Sequence, residues 1–79
     1  MRLNDIKLHA MNNWLENGRK APGRYKISSP NGQVSVECVW HGTDCSFYAK
    51  SADTNGFSVN EDFVKGFLGC LVGTYHSMI

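Results

Sequence analysis

Apolar residues recur at helical spacing over residues 5–17 and again over 61–77, and alternate with polar residues in the stretch between. In the first segment Leu8, Met11, Trp14 and Leu15 share one side of a helix, which Ile6 and Ala10 widen, while His9, Asn12, Asn13 and Glu16 take the wet side. Asn4 is suited to cap this helix, with Leu3 and Leu8 placed as a hydrophobic staple, and Gly18 suits the left-handed residue that ends it. Lys7 falls inside the apolar arc, where its stem can pack while its amine reaches water. In the last segment Phe63, Val64, Phe67, Leu68, Leu71, Tyr75 and Met78 form a long stripe. Asn60 is its N-cap, Val59 and Val64 its staple, and Glu61 and Asp62 complement the positive end of its dipole.

Between the helices, a basic loop (Arg19 to Gly23) leads into three expected strands, at about 24–29, 33–40 and 44–50, and a polar loop, Ser51–Gly56, follows them. Asn31-Gly32 is a strong signal for a two-residue type I′ hairpin, and Gly42-Thr43 for a type II′ turn with glycine first. Together the two turns dictate a register. The first pairs Ile27 with Val36, Tyr25 with Cys38 and Lys26 with Glu37; the second pairs Trp40 with Cys45, Cys38 with Phe47 and Val36 with Ala49. That register puts Tyr25, Ile27, Val34, Val36, Cys38, Trp40, Cys45, Phe47 and Ala49 on one face. Arg24, Lys26, Ser28, Ser35, Glu37, Ser46, Tyr48 and Lys50 take the other, with Val39 the apolar exception. A slip of one residue would scramble both faces. The expected fold is therefore α+β, in the order α-β-β-β-α, with both helices on the apolar face of a three-stranded antiparallel sheet. Residues 1–79 read as one domain, without repeats or low-complexity segments.

Formal net charge is +1, which excludes a general affinity for nucleic acid or anionic membranes. The charge is nevertheless polarised. Residues 1–26 carry six cations against two anions, and residues 27–79 two cations against five anions, an asymmetry that can mark a partner surface or attract within the fold. The N-terminus has no apolar signal region, and the longest apolar stretch, Gly66 to Tyr75, is about half of the ~20 residues that a membrane span needs. With three cysteines, an odd number, these features lead to the expectation of a cytoplasmic chain with reduced thiols and no membrane partner.

Candidate chemistry is sparse. Cys38-x-x-His41-x-x-x-Cys45, with Cys70 or His76 later, has the residue types of a zinc site. The register turns Cys38 and Cys45 into the core and His41 to the opposite face, so the ligands do not converge and neither metal nor other cofactor is expected. It also sets Cys38 and Cys45 diagonally, which disfavours a disulfide. His9, His41 and His76 are scattered. Asp44 lies across the turn from His41 and could orient its ring, but the nucleophile then needed, Thr43, is a turn residue with no evident oxyanion hole, and no phosphate loop or paired catalytic carboxylates appear. An enzyme is not expected.

Two surfaces remain as candidate binding sites. Arg19, Lys20, Arg24 and Lys26 cluster around the basic loop and first strand, and Tyr48 and Lys50 share the open face with Arg24 and Lys26, a set able to hold phosphate and stack a base. Gly66, Gly69 and Gly73 fall opposite the apolar stripe of the last helix and form a smooth strip that a partner backbone could approach, although each costs up to ~1 kcal/mol relative to alanine. The α-β-β-β-α order resembles double-stranded-RNA-binding domains, a likeness of element order and approximate size over most of the chain. That family has a lysine-rich motif at the start of its second helix and uses its first hairpin loop on RNA. Here those positions read Asn60-Glu61-Asp62-Phe63, which is acidic, and the short Pro30-Asn31-Gly32. The resemblance thus implies a fold and carries over no RNA-binding residue. The leading expectation is a small non-enzymatic binding protein docking on a protein or a protein–nucleic-acid complex. Its size and lack of enzyme motifs fit the inhibitors of host complexes that phages and mobile elements encode, anti-CRISPR proteins among them. Direct nucleic-acid binding through the same cations is the alternative. A homodimer through a sheet edge or the glycine strip is a further arrangement compatible with the sequence.

Overall fold

The computed structural model describes residues 2–77, with side chains through residue 70. Helix α1 spans Leu3–Glu16, so it starts two residues before the expected one. The cap is Arg2 rather than Asn4, because the Asp5 carboxylate accepts the Arg2 backbone N–H at 3.1 Å and supplies negative charge in the first turn. The helix is also rotated from the expected face. Ile6 and Ala10 are its buried residues, whereas Leu8 and Leu15 are 51% and 41% exposed, so no Leu3–Leu8 staple covers Leu8. Ile6 and Ala10 are the positions that meet the sheet. At its other end Gly18 takes φ 71°, as expected. The Gly18 N–H bonds the Leu15 carbonyl and the Arg19 N–H bonds the Trp14 carbonyl, each at 3.0 Å, the pattern of a Schellman stop.

The sheet has four antiparallel strands in sequential order: β1 (Gly23–Ser28), β2 (Val34–Trp40), β3 (Cys45–Ser51) and β4 (Phe57–Val59). The chain is thus α+β with two helices and an antiparallel sheet, but the sheet holds a fourth strand where three were expected. Phe57, Ser58 and Val59 pair with Ala49, Tyr48 and Phe47. The added strand also breaks the α-β-β-β-α order on which the likeness to double-stranded-RNA-binding domains rested.

All six pairings predicted from the turns occur. The first turn reaches that register by a different route. Gly32 has φ 72°, but Asn31 is not left-handed, and the Gly32 N–H bonds the Ser29 carbonyl at 2.9 Å. The connection is a four-residue loop in which Pro30, with its fixed φ, opens a turn of the type I kind, in place of a type I′ pair at Asn31-Gly32. Asn31 Oδ1 then accepts the Gln33 N–H at 3.1 Å and the Ser29 hydroxyl at 2.7 Å. At the second turn Gly42 has φ 99°, as the type II′ geometry requires, and the His41 N–H bonds the Asp44 carbonyl at 2.9 Å.

Helix α2 spans Glu61–Ser77. Asn60 Oδ1 accepts the Phe63 N–H at 2.9 Å, the expected cap. Both helices lie on the same face of the sheet. Ile6 and Ala10 of α1 and Val64 and Leu68 of α2 close over Val36, Cys38, Phe47 and Ala49, with Tyr25, Ile27, Trp40, Cys45, Val59 and Phe67 packed around them. The stripe positions Leu71, Tyr75 and Met78 lie outside the described side chains. Gly23 is where α1 crosses β1 most closely: a Cβ there would stand 1.9 Å from the Ala10 carbonyl oxygen and 2.7 Å from the Trp14 nitrogen. Among the described residues one ion pair joins the helices, Lys7 Nζ to Glu61 Oε1 at 2.6 Å, and this hydrogen bond raises the Lys7 pKa.

Candidate functional site

The face of the sheet away from the helices is built from cross-strand rows. Lys26, Glu37, Tyr48 and Ser58 form one row across all four strands. Arg24, Val39 and Ser46 form the row on one side of it, and Ser28, Ser35 and Lys50 the row on the other. Strand alternation thus gathers Arg24, Lys26, Tyr48 and Lys50, all exposed, on one surface. Arg24 Nη1 bonds Glu37 Oε1 at 3.0 Å, which ties up one cation and leaves Lys26 and Lys50 as the outward charges beside Tyr48. Val39 is only 4% exposed even though it lies on this face. The Arg24–Glu37 pair and a His41 Nε2–Ser46 Oγ contact of 2.9 Å frame it. An apolar residue on a polar surface is sheltered here by its own neighbours.

The remaining sequence candidates lie elsewhere. Arg19 and Lys20 sit at the end of α1, where they line a shallow depression of about 220 Å³ with Trp14, Ala21, Pro22 and His41. The Arg19 guanidinium lies 5.4 Å from the Trp14 ring centroid, and its backbone has φ 61°. Gly66 and Gly69 are exposed on α2, and a Cβ at either would meet nothing within 4 Å. Gly69 borders a groove between α2 and the first turn of α1. Gly73 lies outside the described side chains. The eight described candidates therefore divide between the open face, the end of α1 and the outer side of α2.

Several contacts carry no sequence signal that periodicity could find. The His9 ring stacks on Tyr25 with centroids 4.4 Å apart and planes 12° from parallel. Asn13 Oδ1 accepts the Arg24 backbone N–H at 3.0 Å, reaching from α1 to the outer edge of β1. Phe57 and Phe63, 50% and 41% exposed, meet edge-on beside β4 with centroids 6.5 Å apart. The apolar–polar–apolar triplet Phe57-Ser58-Val59 between Gly56 and Asn60 is the one signal that could have disclosed β4.

Reactive groups are held in undemanding states. Cys38 is fully buried and Cys45 half-buried. Burial pushes the Cys38 thiol up to about 12, helped by its hydrogen bond with Cys45, and burial raises Cys45 as well. Neither is a ready nucleophile. The His41 ring is oriented by Ser46 and not by Asp44, whose Oδ1 instead accepts the Cys45 N–H at 2.7 Å. His41 and Ser46 do form a base–hydroxyl contact. The Cys45 N–H is engaged by Asp44 and the Ser46 N–H faces β2 in the ladder, so neither is free to stabilise an oxyanion beside Ser46. Among the described residues no three His, Cys, Asp or Glu side chains are grouped to hold a metal ion, and no helix is long and apolar enough to cross a membrane. No family model, curated protein or solved structure matches this chain.

Proposed function

We propose that this protein is a small non-enzymatic binding protein that docks on a macromolecular partner through the open face of its sheet. One observation carries the reading: both helices cover the same face, leaving the other with Lys26 and Lys50 beside an exposed Tyr48 and no covering element among the described residues. An aromatic side chain among mobile cations gives contact area at low entropic cost together with charge steering. The partner suited to it is an acidic surface on a protein or a protein–nucleic-acid complex. The biological role we assign is inhibition of a host complex, of the anti-defence kind that phages and mobile elements encode. Size and plainness suggest that role, and the anti-CRISPR class is one instance of it.

Capture of a stoichiometric complex from a lysate of the source cell tests the reading when run beside a Tyr48→Ala, Lys50→Glu double variant. The expected result is loss of the complex while the variant keeps its circular dichroism spectrum. Retention of the complex would overturn the assignment of the open face. Direct nucleic-acid binding, the second reading, is favoured by the same placement of Tyr48 among cations. It predicts an affinity that falls steeply between low and moderate salt. Glu37, tied to Arg24 at the centre of the face, counts against it.

A further inference from the structure

The rim of β1 has a specific pattern of free backbone groups. Antiparallel ladders alternate between residues that bond their neighbour and residues that point away. The Ser29 N–H bonds the Val34 carbonyl at 2.8 Å, so alternation assigns Ile27 and Tyr25 to β2 and turns Arg24, Lys26 and Ser28 outward. The Asn13 contact with the Arg24 N–H confirms that direction independently, since Asn13 reaches the rim from outside the sheet. Among the described residues, two full donor–acceptor pairs, those of Lys26 and Ser28, are left unpaired along this edge. The opposite rim offers less. The 41/44 pair closing the second turn sets Tyr48 toward β2, so Phe57 and Val59 bond β3 and only Ser58 points out.

We infer that the Lys26–Ser28 half of the β1 edge accepts an extended segment of a partner protein by strand addition, and that the segment alternates acidic and apolar residues. This deepens the docking proposed above and rests on its premise of a macromolecular partner. Charge complementarity selects the acidic side chains: on the open face an added strand lies directly beside Lys26, which is exposed and makes no ion pair, while Glu37 is occupied by Arg24. On the helix side the added strand runs below a depression lined by Leu8, His9, Asn12 and Asp5, with Leu8 half exposed and His9 lying flat on Tyr25. Apolar side chains fit there. A second copy of this chain is the poorer occupant, because its β1 brings Arg24, Lys26 and Ser28 to the open face and no acidic side chain to meet Lys26.

The probe is a fluorescein-labelled peptide of about seven residues alternating glutamate and valine, compared with a lysine–valine peptide of the same length. Anisotropy titration should show binding of the acidic peptide only. Hydrogen exchange of the Lys26 and Ser28 amides should slow at least about tenfold on its addition, since each becomes a ladder donor. Ser28→Pro, tolerated on a free rim, removes one donor and should weaken binding about tenfold. Lys26→Glu, a surface change that leaves the backbone intact, should shift preference to the lysine peptide. Equal binding of both peptides, no protection at Lys26 and Ser28, or unaltered affinity in Ser28→Pro would overturn the inference. Partner capture separates the two readings. If Tyr48→Ala with Lys50→Glu abolishes the complex while Ser28→Pro leaves it intact, the open face stands and strand addition fails. The reverse pattern keeps the edge and removes the face.

Discussion

Gly23 shows how one atom can set the distance between two layers. Its missing Cβ lets α1 lie directly on β1, with the Ala10 carbonyl oxygen 1.9 Å from where that atom would stand. Gly23→Ala should cost about 3 kcal/mol or more, because both obstacles are backbone and neither can turn aside; urea denaturation measures it. Gly66→Ala and Gly69→Ala should do the opposite. Both positions open onto space within a helix, so each substitution should add about 0.5–1 kcal/mol in the same assay. If either also weakens partner capture, the outer side of α2 belongs to the contact. Cys38 supplies a pH dependence. Its thiol titrates near 9.0 when unfolded and is pushed to about 12 in the core, so the folded state holds a proton that the unfolded chain releases. Its contribution is complete below pH 9.0 and is lost as pH rises toward about 12. In that window stability should fall by about 1.4 kcal/mol per pH unit, and Cys38→Ala should flatten the slope.

The elements themselves were partly readable from the chain. Two turns, each with a glycine where φ is positive, carried the register of three strands because every second side chain had to be apolar. Asn60 carried the start of α2 in the same way, and Asn60→Ala should cost about 1 kcal/mol by thermal or urea unfolding, since the Phe63 N–H loses its acceptor. The face of α1 was not readable to the same degree. A wheel that holds Leu8, Met11 and Leu15 as well as Ile6 and Ala10 has more apolar residues than one contact can bury. Ile6 and Ala10 won, because the close crossing at Gly23 seats Ala10 against β1, turns Ile6 into the core and leaves Leu8 and Leu15 outside. β4 escaped because a strand of three residues presents a single alternation, and its existence depends on pairing with β3 rather than on its own composition.

Over the whole molecule the polarised charge resolves into separate regions. Cations that follow one another in the first third of the chain divide in space: Arg19 and Lys20 go to the end of α1, while Arg24 and Lys26 share the open face, where Arg24 is held by Glu37. Sequence proximity overstated the basic cluster because the stop at Gly18 leaves Arg19 and Lys20 at the end of α1 and Glu37 neutralises Arg24. The open face was legible, since it follows from register alone. The backbone pattern of the β1 rim was not, since it depends on which end of the ladder closes on a bonded pair and on a side chain eleven residues away.

That side chain has a further effect. Unblocked strand margins recruit their own kind, and a sheet that can grow by one strand can grow indefinitely. Asn13 acts as a stopper at one end of this margin, shortening the run over which another chain could zip and keeping any addition finite. Asn13→Ala would withdraw the stopper. Anisotropy titration should then show the acidic peptide binding that variant more tightly than the parent, and equal affinities would show that the margin is limited without Asn13.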